Sequence, residues 1–241
     1  MLKNILCTLL LLGVYVLNTP MYAQEKPLYT ALTKEHKSLV RIAAFAAAGD
    51  LDNLSIALND GLSIGLPIKT IQEALIHMYA YAGFPRSIRG LQTLLAVVEE
   101  RQAKGIVDIV GRDASSVVDD RSKYERGKAT LEVLTGVKES ETKTGYAAFA
   151  PPIEVFLKEH LFADLFERDV LTYLERELIT ISVLSSIGGV EPMLRSHLAI
   201  CINLGCSPSY LHEFAMLIKE CIRQEYRYTV DKVIVDILYY K

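Results

Sequence analysis

Two stretches of this chain can be laid over each other without a gap. At a constant offset of 140 residues, Gly49 falls on Gly189, Leu54 on Leu194, Leu58 on Leu198, Gly65 on Gly205 and Glu73 on Glu213. The chain must therefore fold as one unit built twice. The copies have diverged in complementary ways. The first ends in Tyr81-Ala82-Gly83-Phe84-Pro85-Arg86, which the second lacks. The second carries Arg176-Glu177 and His197 where the first has His36-Lys37 and Ala57. Complementary losses point to one composite pocket between the copies, not to two equivalent sites.

The hydrophobic spacing is helical throughout, which predicts an all-α fold of two tandem helical repeats. Leu51, Leu54, Leu58 and Leu62 step by three and four, as do Ile71, Ala74, Leu75 and Met78. Pro67 opens the second of these helices. After Pro85 an amphipathic helix runs to about Lys104. In the second half, helices are expected around 155–166, over 171–185 with Arg176-Glu177 embedded in it, and after Pro192 with His197 on it. Gly205 closes that last one, and Ser207 caps the next. The β-branched segment 230–238 keeps a helical period. Residues 24–104 form the first repeat and 152–241 the second. Between them, 105–151 is a linker with one helix (about 120–134) and a polar loop, 136–145.

Lys3, the apolar run Ile5–Leu17 and Met21-Tyr22-Ala23 read as a signal peptide over residues 1–23. The run is too short by about a third to span a bilayer. A periplasmic or secreted protein is the expectation, with no membrane attachment after cleavage. The formal charge of −3 and the absence of basic runs argue against nucleic acid as a partner. Cys201, Cys206 and Cys221 remain after cleavage, an odd number that leaves at least one free thiol or an intermolecular link.

Four groups of residues could carry chemistry. Glu177 and His197 lie on consecutive helices joined by the Gly188-Gly189 turn, so the carboxylate can orient the imidazole as a general acid or base. A purely structural salt link with Arg176 is the alternative. Glu73 and His77 sit four apart on one helical face, as a second proton-handling group or as a solvated pair. Glu213, opposite Glu73 in the repeat, favours a shared structural role for that position. The Tyr81–Arg86 turn can present a helix N-terminus and Arg86 to a carboxylate, or can be a helix corner plugged by Phe84. Cys201, one turn beyond His197, is a redox candidate or a small apolar core residue, and a Cys201–Cys206 disulfide is conceivable. His36, His160 and His212 are scattered, so no metal site is expected.

The pattern Glu73…Tyr81-Ala-Gly-Phe-Pro-Arg86, together with Arg176-Glu177-Leu178…His197-Leu198…Asn203-x-Gly205, resembles the carboxymuconolactone decarboxylase family of the alkylhydroperoxidase-D-like superfamily. The resemblance covers roughly 33–101 and 156–224. It implies a fused helical pseudo-dimer that assembles as a trimer or hexamer, with cofactor-free decarboxylation or lactone and keto-acid conversion on a small acidic substrate. On that reading His197 is the acid/base and Glu177 its orienter. Arg86 or Arg176 anchors a carboxylate, with Phe84, Tyr81, Glu73 and His77 around the substrate. In the peroxidase branch a CxxC pair precedes the histidine. Here Val190 and Met193 occupy those places, which disfavours a peroxidase route. A non-catalytic exported oligomer that binds a ligand or scaffolds a partner is the other reading.

Overall fold

The computed structural model describes residues 28–239, and the expected signal segment lies outside them. The described residues are helical with irregular connections, as the spacing predicts. In the first half, α1 (Lys34–Ala48), α2 (Leu51–Ser63), α3 (Ile68–His77) and α4 (Tyr79–Ala103) follow in close succession. The connection carries α5 (Lys123–Thr135), α6 (Gly145–Phe149) and α7 (Pro151–Phe156), which runs into a π-helix, Leu157–Leu165. The second half is α8 (Tyr173–Ile187), α9 (Glu191–Asn203), α10 (Pro208–Cys221) and α11 (Gln224–Tyr239).

The ends of these helices are written locally. Thr33, Asp50, Ser122, Thr172 and Ser207 each accept a backbone N–H in the first turn of the helix that follows. At Ser122 and Thr172 the third helical residue is a Glu that returns the bond, so both ends are closed reciprocally. The 140-residue register survives folding: α2 and α9 begin and end at equivalent positions. Gly65 and Gly205, paired in that register, turn the chain at φ 95° and 104°. α4 is broken at Gly83, whose φ of 78° and ψ of 163° suit glycine and strain other residues. The break, with Pro85 beyond it, lets Tyr81 and Phe84 leave the chain in different directions.

Three hydrophobic clusters hold the helices together. One joins α1–α4 through Leu39, Ile42, Leu54, Leu58, Ile71 and Leu75, and it takes in Ile179 and Val183 of α8. The second joins α8–α11 through Leu178, Leu198, Tyr210, Phe214 and Ile218, and takes in Val40 and Ala44 of α1. The central helices of the two halves thus share their faces between both cores. The third packs α5, the π-helix and Ile200 of α9. α8 is buried on nearly every face, from Leu174 to Ser186 with Glu175 excepted. Its serines are satisfied within the helix: Ser182 donates to Leu178 O at 2.6 Å, and Ser185 to Ile181 O at 2.6 Å.

The structure departs from the expectation for residues 155–166, which wind partly as π-helix rather than α-helix; Phe166 N donates to Leu161 O, five residues back. A periodic apolar pattern does not separate the two windings. The π-helix sits hard against α5. A Cβ at Gly127 would lie 1.9 Å from the Lys158 carbonyl oxygen. Gly→Ala within a helix ordinarily stabilises by about 1 kcal/mol. Here we expect the opposite sign. Gly127→Ala should lower stability in urea denaturation by about 1–3 kcal/mol, since α5 must move off backbone atoms. An unchanged or raised midpoint would contradict this packing.

Candidate functional site

Arg176 and Glu177 lie on the most buried helix of the fold, and each has no solvent-exposed surface. Charges in such a place must be matched by neighbours. For Arg176 the matching groups come from α3 and from the loop before α8. Nη2 donates to Glu73 Oε1 at 2.9 Å and to the Arg168 carbonyl, and Nη1 lies 3.2 Å from His77 Nδ1. Glu73 is gripped from its other side by Arg168, whose Nε and Nη2 donate to both carboxylate oxygens at 2.8–3.1 Å. Burial pushes the Arg176 guanidinium below its ordinary value, and the Glu73 carboxylate opposes that shift.

Because arginine only donates, His77 Nδ1 must accept. Its Nε2 then carries the proton and donates to Thr180 Oγ1 at 3.0 Å. This fixes one tautomer of a fully buried imidazole. Burial, and then the positive charge at Arg176, hold His77 well below the ordinary imidazole value.

Glu177 points the other way, to α9. Its Oε2 lies 2.7 Å from His197 Nδ1. Nδ1–H donating to the carboxylate leaves His197 Nε2 as the nitrogen that exchanges protons. The His197 side chain keeps 13% of its surface exposed, whereas Glu177 keeps none. Tyr81 lies between the two histidines, its ring 5.5 Å from His197 edge-on and 5.5 Å from His77. The Tyr81 hydroxyl and Glu177 Oε1 are both buried without a hydrogen bond of good geometry. Burial and then the nearby Glu177 carboxylate raise the Tyr81 phenol, against a smaller opposing pull from Thr180, so it stays protonated.

The structure therefore brings Glu73, His77 and Tyr81 of the first half against Arg176, Glu177 and His197 of the second, in one polar seam. The alternative of a solvated Glu73–His77 pair is overturned, since both are buried. The shared role expected for Glu73 and Glu213 is also not kept. Glu213 accepts from Leu32 N at 2.9 Å and faces Lys37 instead.

Phe84 and Arg86 lie apart from the seam. Phe84 is 63% exposed and stacks on Tyr79 at 4.6 Å. The Arg86 guanidinium occupies the space a Gly49 side chain would need, at the C-terminal end of α1, where the last carbonyls favour a cation. Arg176 is turned to Glu73 and His77 and keeps no exposed surface for a substrate carboxylate, although its Nε is buried without a hydrogen bond. Cys201 is buried, and hydrogen bonding with Cys206, then burial, then Glu177 push its thiol well up, away from the thiolate that redox exchange requires. Cys201, Cys206 and Cys221 are free thiols, so the conceivable Cys201–Cys206 disulfide is absent. Among the described residues no group of His, Cys, Asp and Glu is placed to hold a metal ion.

Two residues of the seam escape sequence reading. Arg168 sits in a loop, 95 residues from the carboxylate it binds, and Thr180 reads as one more residue of an apolar helix. Neither belongs to a spacing pattern. Two cavities are described. One of about 120 Å³ borders Lys69, Glu73, Arg112 and Arg168, and one of about 10 Å³ borders Leu184, Leu194 and Tyr226. Neither is lined by His197. No helix among the described residues is long and apolar enough to cross a membrane. Compared with known proteins, the chain matches no family model and no curated sequence.

The His77 shift makes a pH prediction. An unfolded His77 takes up a proton as pH drops through 6.5, and the folded one resists it. Stability is thus full above that value and declines below it, by up to about 1.4 kcal/mol per pH unit for one proton. His36, also lowered by burial, adds to the same trend. In denaturant titrations from pH 7 to pH 5 the His77→Gln variant should start less stable, yet lose less stability across the range than the parent. Equal slopes would place His77 in contact with solvent.

Proposed function

We propose that this chain is an exported, tandem-repeat protein of the carboxymuconolactone decarboxylase type, fused as a pseudo-dimer, which performs cofactor-free acid–base chemistry on a small acidic substrate at His197. The observation that carries this reading is the 2.7 Å contact between His197 Nδ1 and a Glu177 carboxylate that keeps no exposed surface. A buried carboxylate on one ring nitrogen holds the ring in place and strengthens the other nitrogen as a base. Tyr81, a protonated phenol whose ring stands nearly perpendicular to the reacting imidazole at 5.5 Å, supplies a hydrogen-bond donor from the opposite repeat. The matching helix register of the halves supports the pseudo-dimer, and trimeric or hexameric assembly belongs to the same proposal.

In the decarboxylation this reading assigns, the bond from carbon to the substrate carboxylate breaks and carbon dioxide leaves. The electron pair remains as a dienolate, and His197 Nε2 delivers a proton to its carbon. Solvent then returns a proton to His197. The dienolate oxygen takes the hydrogen bond of a neutral donor, the role that Tyr81 fills.

A second reading has its own support. Neither described cavity is lined by His197, and Glu177 is closed to solvent, as in an oligomer that binds or scaffolds without turnover. A panel of lactones and keto acids separates the two. Under the catalytic reading His197→Gln lowers kcat by about 10²–10⁴-fold with unchanged helicity and assembly, and Tyr81→Phe lowers it less. Wild-type protein inert toward the entire panel would favour the scaffold.

A further inference from the structure

The 120 Å³ cavity lies at the other end of the seam, between α3, the irregular segment 104–122 and the loop before α8. The segment is tied down over α3: Ile109 O and Val110 O accept from Ile68 N and Lys69 N at 2.8 and 2.9 Å. Arg112 fastens its far side to Asp169, so the roof is a built part of the fold.

In the cavity wall unspent donors outnumber unspent acceptors, which are the Gln72 amide oxygen and Oδ2 of the largely exposed Asp113. Glu73 receives bonds from both Arg168 and Arg176 on its two oxygens. Arg168 uses Nε and Nη2 on Glu73 and keeps Nη1. Lys69 spends one bond on Asp113 at 2.7 Å and has two ammonium protons left. The Gln72 amide makes no hydrogen bond to another described residue. Three cationic side chains, Lys69, Arg112 and Arg168, border the space against the two carboxylates of Glu73 and Asp113. Ile76 and Val170 supply a short apolar wall. The surplus of donors over acceptors favours a ligand that brings acceptors and negative charge.

We propose that this cavity is a binding site for a small oxyanion, held by Arg168 Nη1, Lys69 and the Gln72 amide. It stands apart from His197, and it holds whether or not His197 turns over a substrate. Carboxylates and inorganic phosphate share the required chemistry, and the apolar wall favours a carboxylate on a short hydrocarbon.

The test is the denaturation midpoint of the full protein titrated with succinate and, separately, with phosphate, with chloride holding ionic strength constant. A ligand that binds only the native state raises the midpoint as its concentration passes the dissociation constant. We expect a saturable rise with at least one of the two anions. It should weaken at least tenfold in apparent affinity in Lys69→Gln, whose side chain is partly exposed, and in Gln72→Glu, which brings a like charge to the anion. A rise with succinate alone identifies a carboxylate site, and with phosphate alone a phosphate site. No saturable rise with either anion, or the same rise in both variants, overturns the proposal.

Discussion

A guanidinium with no exposed surface is expensive to bury, and the fold is arranged around the Arg176 group that bears it. α8 passes between both major cores and is covered on nearly all sides. Such a helix would ordinarily be apolar all round. It carries Arg176 and Glu177 side by side because each finds partners in a different direction: Glu73 and His77 on α3, His197 on α9. Removing one partner of a buried pair leaves the other charge stranded, at a cost of about 3–5 kcal/mol. The relative placement of the halves is thus fixed by polar matching as well as by apolar contact.

That matching also positions the chemistry. Glu177 is held by helix packing, so it can hold His197 without being itself free to move. His77, Thr180 and Tyr81 fill the space between Arg176 and His197 with groups whose protonation the burial determines: a neutral imidazole and a neutral phenol. The result is a short path of titratable groups crossing between the repeats, with a cationic cavity bordering Glu73 and Arg168 at one end and the partly open His197 edge at the other.

Much of this is legible in the sequence where the interaction is local or periodic. The helices, their caps at Ser207 and Pro67, the 140-residue register and the Glu177–His197 pair follow from spacing and from a tight hairpin of two helices. What spacing cannot carry is the pairing of Arg176 with residues about 100 positions away. A Glu and a His four apart read equally well as a surface pair, and only tertiary packing decides that Glu73 and His77 face inward. The Tyr81–Arg86 motif was readable as a turn, but not which of its side chains turn in: Gly83 sends Tyr81 to the seam while Phe84 and Arg86 go to the surface. The π winding of 157–165 likewise leaves no trace in the apolar period.

The central claim is that Arg176 donates to His77 on one side of the seam and Glu177 accepts from His197 on the other, which dictates a separate tautomer for each histidine. Nitrogen-15 correlation spectra of the imidazole rings test this directly. The account predicts His77 neutral at pH 6 with its proton on Nε2, and a proton on His197 Nδ1, the nitrogen that faces Glu177. A His77 ring that is protonated at pH 6, or that carries its proton on Nδ1, would contradict the arrangement on which the site is built.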